Sequence, residues 1–85
     1  MFREKHNLWC VYILKCIDAT YYTGCTGNLN NRIAVHKSGK VKYTSDRLPI
    51  ALVFYCVFPD KYKAYKFEKY LKSGSGKAFA NKRFL

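Results

Sequence analysis

Acidic residues are scarce in this chain: 5 Asp+Glu stand against 16 Lys+Arg in 85 residues, a formal net charge of +11. Long apolar runs are also missing. No stretch approaches the roughly 18 residues that a membrane-spanning helix needs, so none is expected. The N-terminal segment Met1–Asn7 is charged, and the apolar stretch behind it is broken by Lys15 with no small-residue cleavage pattern. No signal peptide is therefore expected, and the expected location is cytoplasmic. The four cysteines, Cys10, Cys16, Cys25 and Cys56, form no C-x-x-C pair, and no histidine lies at a zinc-like spacing from them. They are expected to be small buried or half-buried thiols in a reducing compartment. Repeats, low-complexity tracts and linkers are absent, and the length allows one domain, 1–85, and not two.

What is present argues for a folded protein that meets a polyanion. Hydrophobic residues make up 49% and aromatics 18%, too much for a disordered basic tail. A chain of this size buries roughly 60–65% of its unfolded surface, which leaves little room for a deep pocket. Any chemistry is expected on an open face. The charge is uneven: six basic and two acidic residues in 1–40 leave +4, and ten against three in 41–85 leave +7. From Lys61 to Arg83 there are eight basic residues and one acid, Glu68. Nucleic acid is the first candidate partner for such a surplus. The plain alternative is a merely soluble basic protein.

The pattern predicts a small α+β fold. Leu8–Lys15 alternates β-formers and reads as a strand, Asp18-Ala19-Thr20 as a turn, and Tyr21–Cys25 as the hairpin partner. Thr26-Gly27-Asn28 offers capping chemistry to a helix over Asn28–Lys37, stopped by Ser38-Gly39. Residues 40–49 read as a basic loop closed by Pro49. Ile50–Phe58 is the most apolar strand and is expected to be central. Pro59-Asp60 stops it, and Asp60 caps a helix over Lys61–Lys72 with Ala64, Phe67 and Leu71 as its apolar stripe. Ser73-Gly74-Ser75-Gly76 reads as a break and Lys77–Arg83 as a short last helix. The expected order is β-β-α-β-α-α, a three-stranded, mainly antiparallel sheet flanked by helices. Ser73–Lys77 lacks the spacing of a phosphate-binding P-loop.

Some side chains fall in unusual places. On the first helix Arg32 and His36 are four residues apart, share a face and border the Leu29–Ile33 stripe. The bland account has Arg32 snorkelling over the core edge and His36 satisfied at the surface. On the second helix Lys63, Lys66 and Lys69 occupy the outer face, while Glu68 lies at the edge of the buried one. A carboxylate there is desolvated and wants a cation or a metal; the bland account is an ion pair with Lys72. Phosphodiester hydrolysis needs a cation on the phosphate, a carboxylate for a metal, and a group to orient or deprotonate water. Arg32, Glu68, His36 and the strand tyrosines Tyr12 and Tyr22 form such a set.

In order along the chain, these residues resemble a known family. Cys10-Val11-Tyr12, nine residues, then Tyr22-Thr23-Gly24 is similar to the paired tripeptides that name the GIY-YIG endonuclease superfamily. Arg32 follows eight residues beyond Gly24, His36 four further, Glu68 on a later helix, and Asn81 thirteen residues after that. The stretches Lys42–Pro49 and Glu68–Gly76 resemble its small stand-alone members, which are related to the N-terminal nuclease domain of an excinuclease. The resemblance covers about residues 8–83. Cys10 replaces the first glycine, and Val11 and Thr23 replace the isoleucines.

The resemblance implies a metal-dependent DNA endonuclease, a nickase or a structure-selective enzyme of DNA repair or recombination. It implies Glu68 as ligand of one Mg²⁺ or Mn²⁺, Arg32 on the scissile phosphate, and Tyr12 positioning or deprotonating water. His36 would accept a proton, Tyr22 would orient water or phosphate, and Asn81 would support the site. Lys40, Lys42, Tyr43, Lys72 and Lys77 are the candidate contacts to the nucleic acid. The expected partner is DNA, branched or nicked, with RNA left open, no membrane, and a monomer or weak homodimer. A non-catalytic nucleic-acid-binding module on the same fold and a protein-interaction domain are the competing expectations.

Overall fold

The computed structural model describes residues 8–85; Met1–Asn7, and with it the expectation about the charged N-terminus, lies outside the described residues. Three strands, β1 (Trp9–Lys15), β2 (Tyr21–Thr26) and β3 (Ala51–Phe58), form one antiparallel sheet in the order β2-β1-β3. Four helices complete the fold: α1 (Leu29–Lys37), α2 (Lys42–Ser45), α3 (Lys61–Leu71) and α4 (Gly74–Arg83). The expected α+β order holds, with α2 added as a single helical turn inside the stretch that reads as a loop. No helix among the described residues is long and apolar enough to cross a membrane.

The expectation that Ile50–Phe58 is the central strand is corrected: β1 pairs on both sides and β3 is an edge. After β2 the chain crosses β1 through α1 and α2 and re-enters on the far side. Hydrophobicity misleads here because β3 buries only alternate residues. Phe54, Cys56 and Phe58 turn toward the core, while Val53, Tyr55 and Val57 stay exposed. Pairing runs Ile13↔Phe54 and then Leu14↔Leu52, so Val53 is the extra residue of a bulge.

Because a strand sends successive side chains to opposite faces, β1 feeds two cores at once. Val11 and Ile13 join Ala64, Leu71 and Ala80 under α3 and α4, with Phe54, Phe58, Phe67 and Phe84 packed around them. Phe54 and Phe84 stack at 4.0 Å between ring centroids. Tyr12, Leu14, Cys16 and Ile50 form the other cluster, covered by Leu29 and Ile33 of α1, Leu48 and Tyr22.

The helix boundaries follow their caps. Asn28 accepts from the Asn31 N–H at 3.1 Å and Asp60 from the Tyr62 N–H at 2.8 Å, each closing an N-terminus as expected. Gly39 ends α1 in the left-handed region at φ 82°. The expected break over 73–76 shrinks to a junction at Ser73. Its hydroxyl accepts from the Gly76 N–H at 3.1 Å, so α4 begins at Gly74 and not Lys77. Gly76 is there for proximity: a Cβ at this position would overlap the Tyr70 carbonyl oxygen at the close α3–α4 crossing. All four cysteines are free; Cys10 and Cys16 are buried, Cys25 and Cys56 half-buried.

Candidate active site

Tyr12 and Gly24 are direct partners across the β1–β2 ladder, and the Tyr12 ring lies over the glycine. A Cβ at Gly24 would overlap the Tyr12 hydroxyl, so the glycine is what lets the ring lie flat across β2. The hydroxyl then reaches α1, where it shares a hydrogen bond with His36 Nε2 at 3.0 Å. His36 is fully buried, not the surface residue of the bland account, and its Nδ1 is hydrogen-bonded to Thr44 Oγ1 of α2 at 2.9 Å. The Tyr22 ring closes over this chain, edge-on to the imidazole with 4.9 Å between ring centroids. Tyr43 stands 5.5 Å beyond Tyr22.

Charge at this cluster comes from Arg32, which lies one turn before His36 on α1. Its guanidinium lies near the Tyr12 and Tyr22 hydroxyls, which hold it above its ordinary range, Tyr12 first. Burial pushes the Tyr12 phenol up; Arg32 opposes that shift, and Tyr22 and Glu68 add to it. Burial, then the neighbouring Arg32 charge, pushes His36 down. Around neutral pH the pair is thus a protonated phenol beside a neutral imidazole.

Glu68 sits half-buried on α3, its carboxylate Oε2 2.9 Å from Lys72 Nζ. The ion pair of the bland account is therefore present. The same carboxylate adds to the upward push on Cys25 and, more weakly, on Tyr12, so it lies within electrostatic reach of the tyrosine cluster. Cys25 is pushed up to about 11, by burial first and then by Glu68, which leaves it a thiol and no nucleophile. Among the described residues no group of three or more His, Cys, Asp and Glu is placed around a metal. A single carboxylate suits Mg²⁺ or Mn²⁺, which take hard oxygen ligands and keep several waters. It does not suit a structural zinc, which needs four protein ligands.

Beside the cluster opens a cleft of roughly 480 Å³, lined by Tyr22, Tyr43, Lys72, Lys77 and Asn81 among others. Five of the sequence candidates thus share one opening. Tyr12, Arg32, His36 and Glu68 are not part of its lining, and neither are the exposed Lys40 and Lys42. Two residues that sequence reasoning misses hold the wall in place. Thr44 is fully buried against His36. Arg47 donates to Asp18 Oδ2 at 3.0 Å and to the Tyr43 carbonyl, and its guanidinium lies 4.2 Å from the Tyr43 ring centroid. It ties the α2 turn to the β1–β2 turn. The one available signal is their position in the stretch Lys42–Pro49, which otherwise reads as a basic loop.

A small antiparallel sheet that presents two tyrosines to an arginine and a histidine of the next helix, with a carboxylate of α3 within electrostatic reach, defines a class. The family model of the GIY-YIG catalytic domain matches residues 8–83. The chain belongs to the GIY-YIG family. It is 46% identical over 63 residues to a UPF0213 protein of Streptococcus pyogenes serotype M3, covering 73% of this chain and 68% of that one. A UPF0213 protein of Bacillus cereus is 42% identical over 73 residues, covering 85% and 73%. The solution NMR structure of a UPF0213 protein from Bacillus halodurans matches with a TM-score of 0.57 at 40% identity, covering 88% of this chain and 83% of that one.

Proposed function

We propose that this protein is a divalent-metal-dependent DNA endonuclease that hydrolyses phosphodiester bonds. The observation that carries the proposal is the buried Tyr12–His36 hydrogen bond with the Arg32 guanidinium near the same hydroxyl. A phenol held between a neutral base and a fixed cation is equipped to pass on a proton. Tyr12 is fully enclosed, with 1% of its surface exposed. A phosphate seated at the Tyr22 wall of the cleft would compete for the neighbouring Arg32, since a planar guanidinium pairs two oxygens at once. Drawing Arg32 onto the phosphate frees a lone pair on the Tyr12 oxygen for the attacking water. The water gives its proton to Tyr12 as Tyr12 gives its own to His36. Tyr22, at the cleft wall, orients water or phosphate, and Asn81 hydrogen-bonds the substrate across the opening. Lys72, Lys77 and Tyr43 hold the backbone without reading sequence, with Lys40 and Lys42 as outlying contacts.

Glu68 would hold the Mg²⁺ or Mn²⁺, which when bound polarises the phosphate and stabilises the leaving oxygen. One such site cuts one strand, so a monomer nicks DNA; branched or nicked DNA is the favoured substrate class. The test is supercoiled plasmid with either metal, beside Glu68→Ala. Nicked product that disappears with chelator and with the variant supports the proposal. No product from the wild type on plasmid, branched or flapped DNA, despite salt-sensitive binding, replaces the nuclease by a non-catalytic nucleic-acid-binding module.

A further inference from the structure

We propose that Thr44 is a positioning residue that fixes the tautomer of His36, so that Nε2 presents its lone pair to Tyr12. The proposal rests on the proton route given above and assigns a role to a side chain that has no access to substrate.

The assignment follows from counting hydrogens in a closed space. Tyr12, His36 and Thr44 are all buried, so each donor among them must find its acceptor inside the protein. Thr44 has a single hydroxyl hydrogen, and it is directed at the Val41 carbonyl at 3.4 Å. The Thr44 oxygen is therefore an acceptor toward His36 Nδ1, at 2.9 Å, and that nitrogen carries the imidazole hydrogen. In a neutral ring Nε2 is then the acceptor, and the Tyr12 hydroxyl at 3.0 Å donates to it. In the donor direction, the chain runs Tyr12 to His36 to Thr44 to Val41.

The reverse orientation fails at its far end. Were Thr44 to donate to Nδ1, Nε2–H would point at the Tyr12 oxygen, and the buried phenol hydrogen would lose the acceptor that His36 gives it among the described residues. The turn of α2 exists to seat this hydroxyl. Its N-terminal residue Val41 takes the Thr44 and Ser45 N–H groups at 3.1 and 2.9 Å, and Arg47 locks the turn from outside. The groups facing His36 are Tyr12 of β1, Tyr22 of β2, Arg32 of its own helix and Thr44 of α2. Among the described residues no carboxylate is hydrogen-bonded to His36, so the third member of the relay is a neutral hydroxyl. In the reaction the water oxygen forms its bond to phosphorus while the bond to the leaving oxygen breaks, the electron pair staying on that oxygen. The proton stored on Nε2 returns through Tyr12 to solvent after the product leaves.

The experiment has two readouts. The first is the ¹⁵N NMR signature of the His36 ring in the wild type and in Thr44→Val and Thr44→Ser. The wild type and Thr44→Ser are expected as the Nδ1–H tautomer, and Thr44→Val as a mixture or as Nε2–H. The second is nicking turnover. Thr44→Val is expected to lose roughly 10- to 100-fold in kcat with KM little changed, and Thr44→Ser to recover most of it. A wild-type ring found as Nε2–H overturns the proposal, as does a Thr44→Val protein with wild-type tautomer and turnover. The tautomer is read without DNA. A chain that shows the expected tautomers and cuts nothing would therefore sink the nuclease reading and leave the Thr44 assignment standing.

Discussion

The two faces of β1 are neighbours in sequence and opposites in chemistry. Val11 and Ile13 look into a cluster of aliphatic and aromatic side chains under α3 and α4, with Ile13 also reaching the cleft and Val11 away from it. Tyr12, between them, looks into a face where Leu14 and Cys16 pack normally while a hydroxyl, an imidazole and a second hydroxyl are buried in line. The first face is worth what its apolar area is worth and tolerates any well-fitting replacement. The second is worth little net stability, because each buried polar group first has to repay its lost hydration. What it supplies is orientation. On the function proposed above, a one-residue step along a strand separates a group that holds the fold from a group assigned to the chemistry.

That division can be broken from either side. The largest effect is expected at the charged flanks of the polar face. Arg32→Ala and Glu68→Gln should each lower nicking by about 10³-fold or more, as removal of a group that stabilises transition-state charge does, while both stay folded by circular dichroism. Next comes the apolar face. Val11→Ala, which removes two buried methyl groups away from the cleft, should cost about 1–3 kcal/mol in denaturant unfolding, and nicking per folded molecule should stay near wild type; a specific loss of turnover there would erase the distinction. Gly24→Ala sits between the faces. Its Cβ must push the Tyr12 hydroxyl off His36, so it should cost about 1–3 kcal/mol and also lower turnover, with the histidine ring signals shifted in NMR. The smallest effect is in pH. Folding lowers His36 from 6.5, so the unfolded chain takes up the proton first. Its contribution is complete above about pH 6.5 and is lost as the pH falls below that value toward the folded-state one. The midpoint of thermal unfolding should therefore drop between pH 7 and 5.5 by more in the wild type than in His36→Gln.

Most of the local structure is legible in the chain. The hairpin, α1 and α3 announce themselves by alternation, by the 3.6-residue stripe and by Asn28 and Asp60 as caps, all of which act within a few residues. What is hidden depends on distant partners. β3 reads as central because it is the most apolar segment, yet strand order is set by where α1 and α2 carry the chain. The start of α4 escapes notice because two glycines read as breakers, whereas Gly76 is required by the carbonyl of Tyr70 passing beside it. In the site, Tyr12, Tyr22, Arg32, His36 and Glu68 stand out by type and spacing; the fold gathers Tyr12, Tyr22 and His36 with Arg32 beside them, while Glu68 stands apart on α3, paired with Lys72. Thr44 does not stand out, since a threonine in a basic loop carries no sign of burial until the loop winds into a turn against His36.

The central claim is that β1 divides its two faces between stability and chemistry, and Tyr12→Phe beside Val11→Ala tests it most directly. Both changes trim adjacent buried side chains of one strand. Both proteins would be melted and then assayed on supercoiled plasmid with Mg²⁺. Tyr12→Phe should remain folded and lose nicking by roughly 10²-fold or more, and Val11→Ala should melt about 1–3 kcal/mol less stable and nick at the wild-type rate. Nicking by Tyr12→Phe at the wild-type rate would contradict the account, because the hydroxyl would then be one more buried polar atom and the proton route would lie elsewhere.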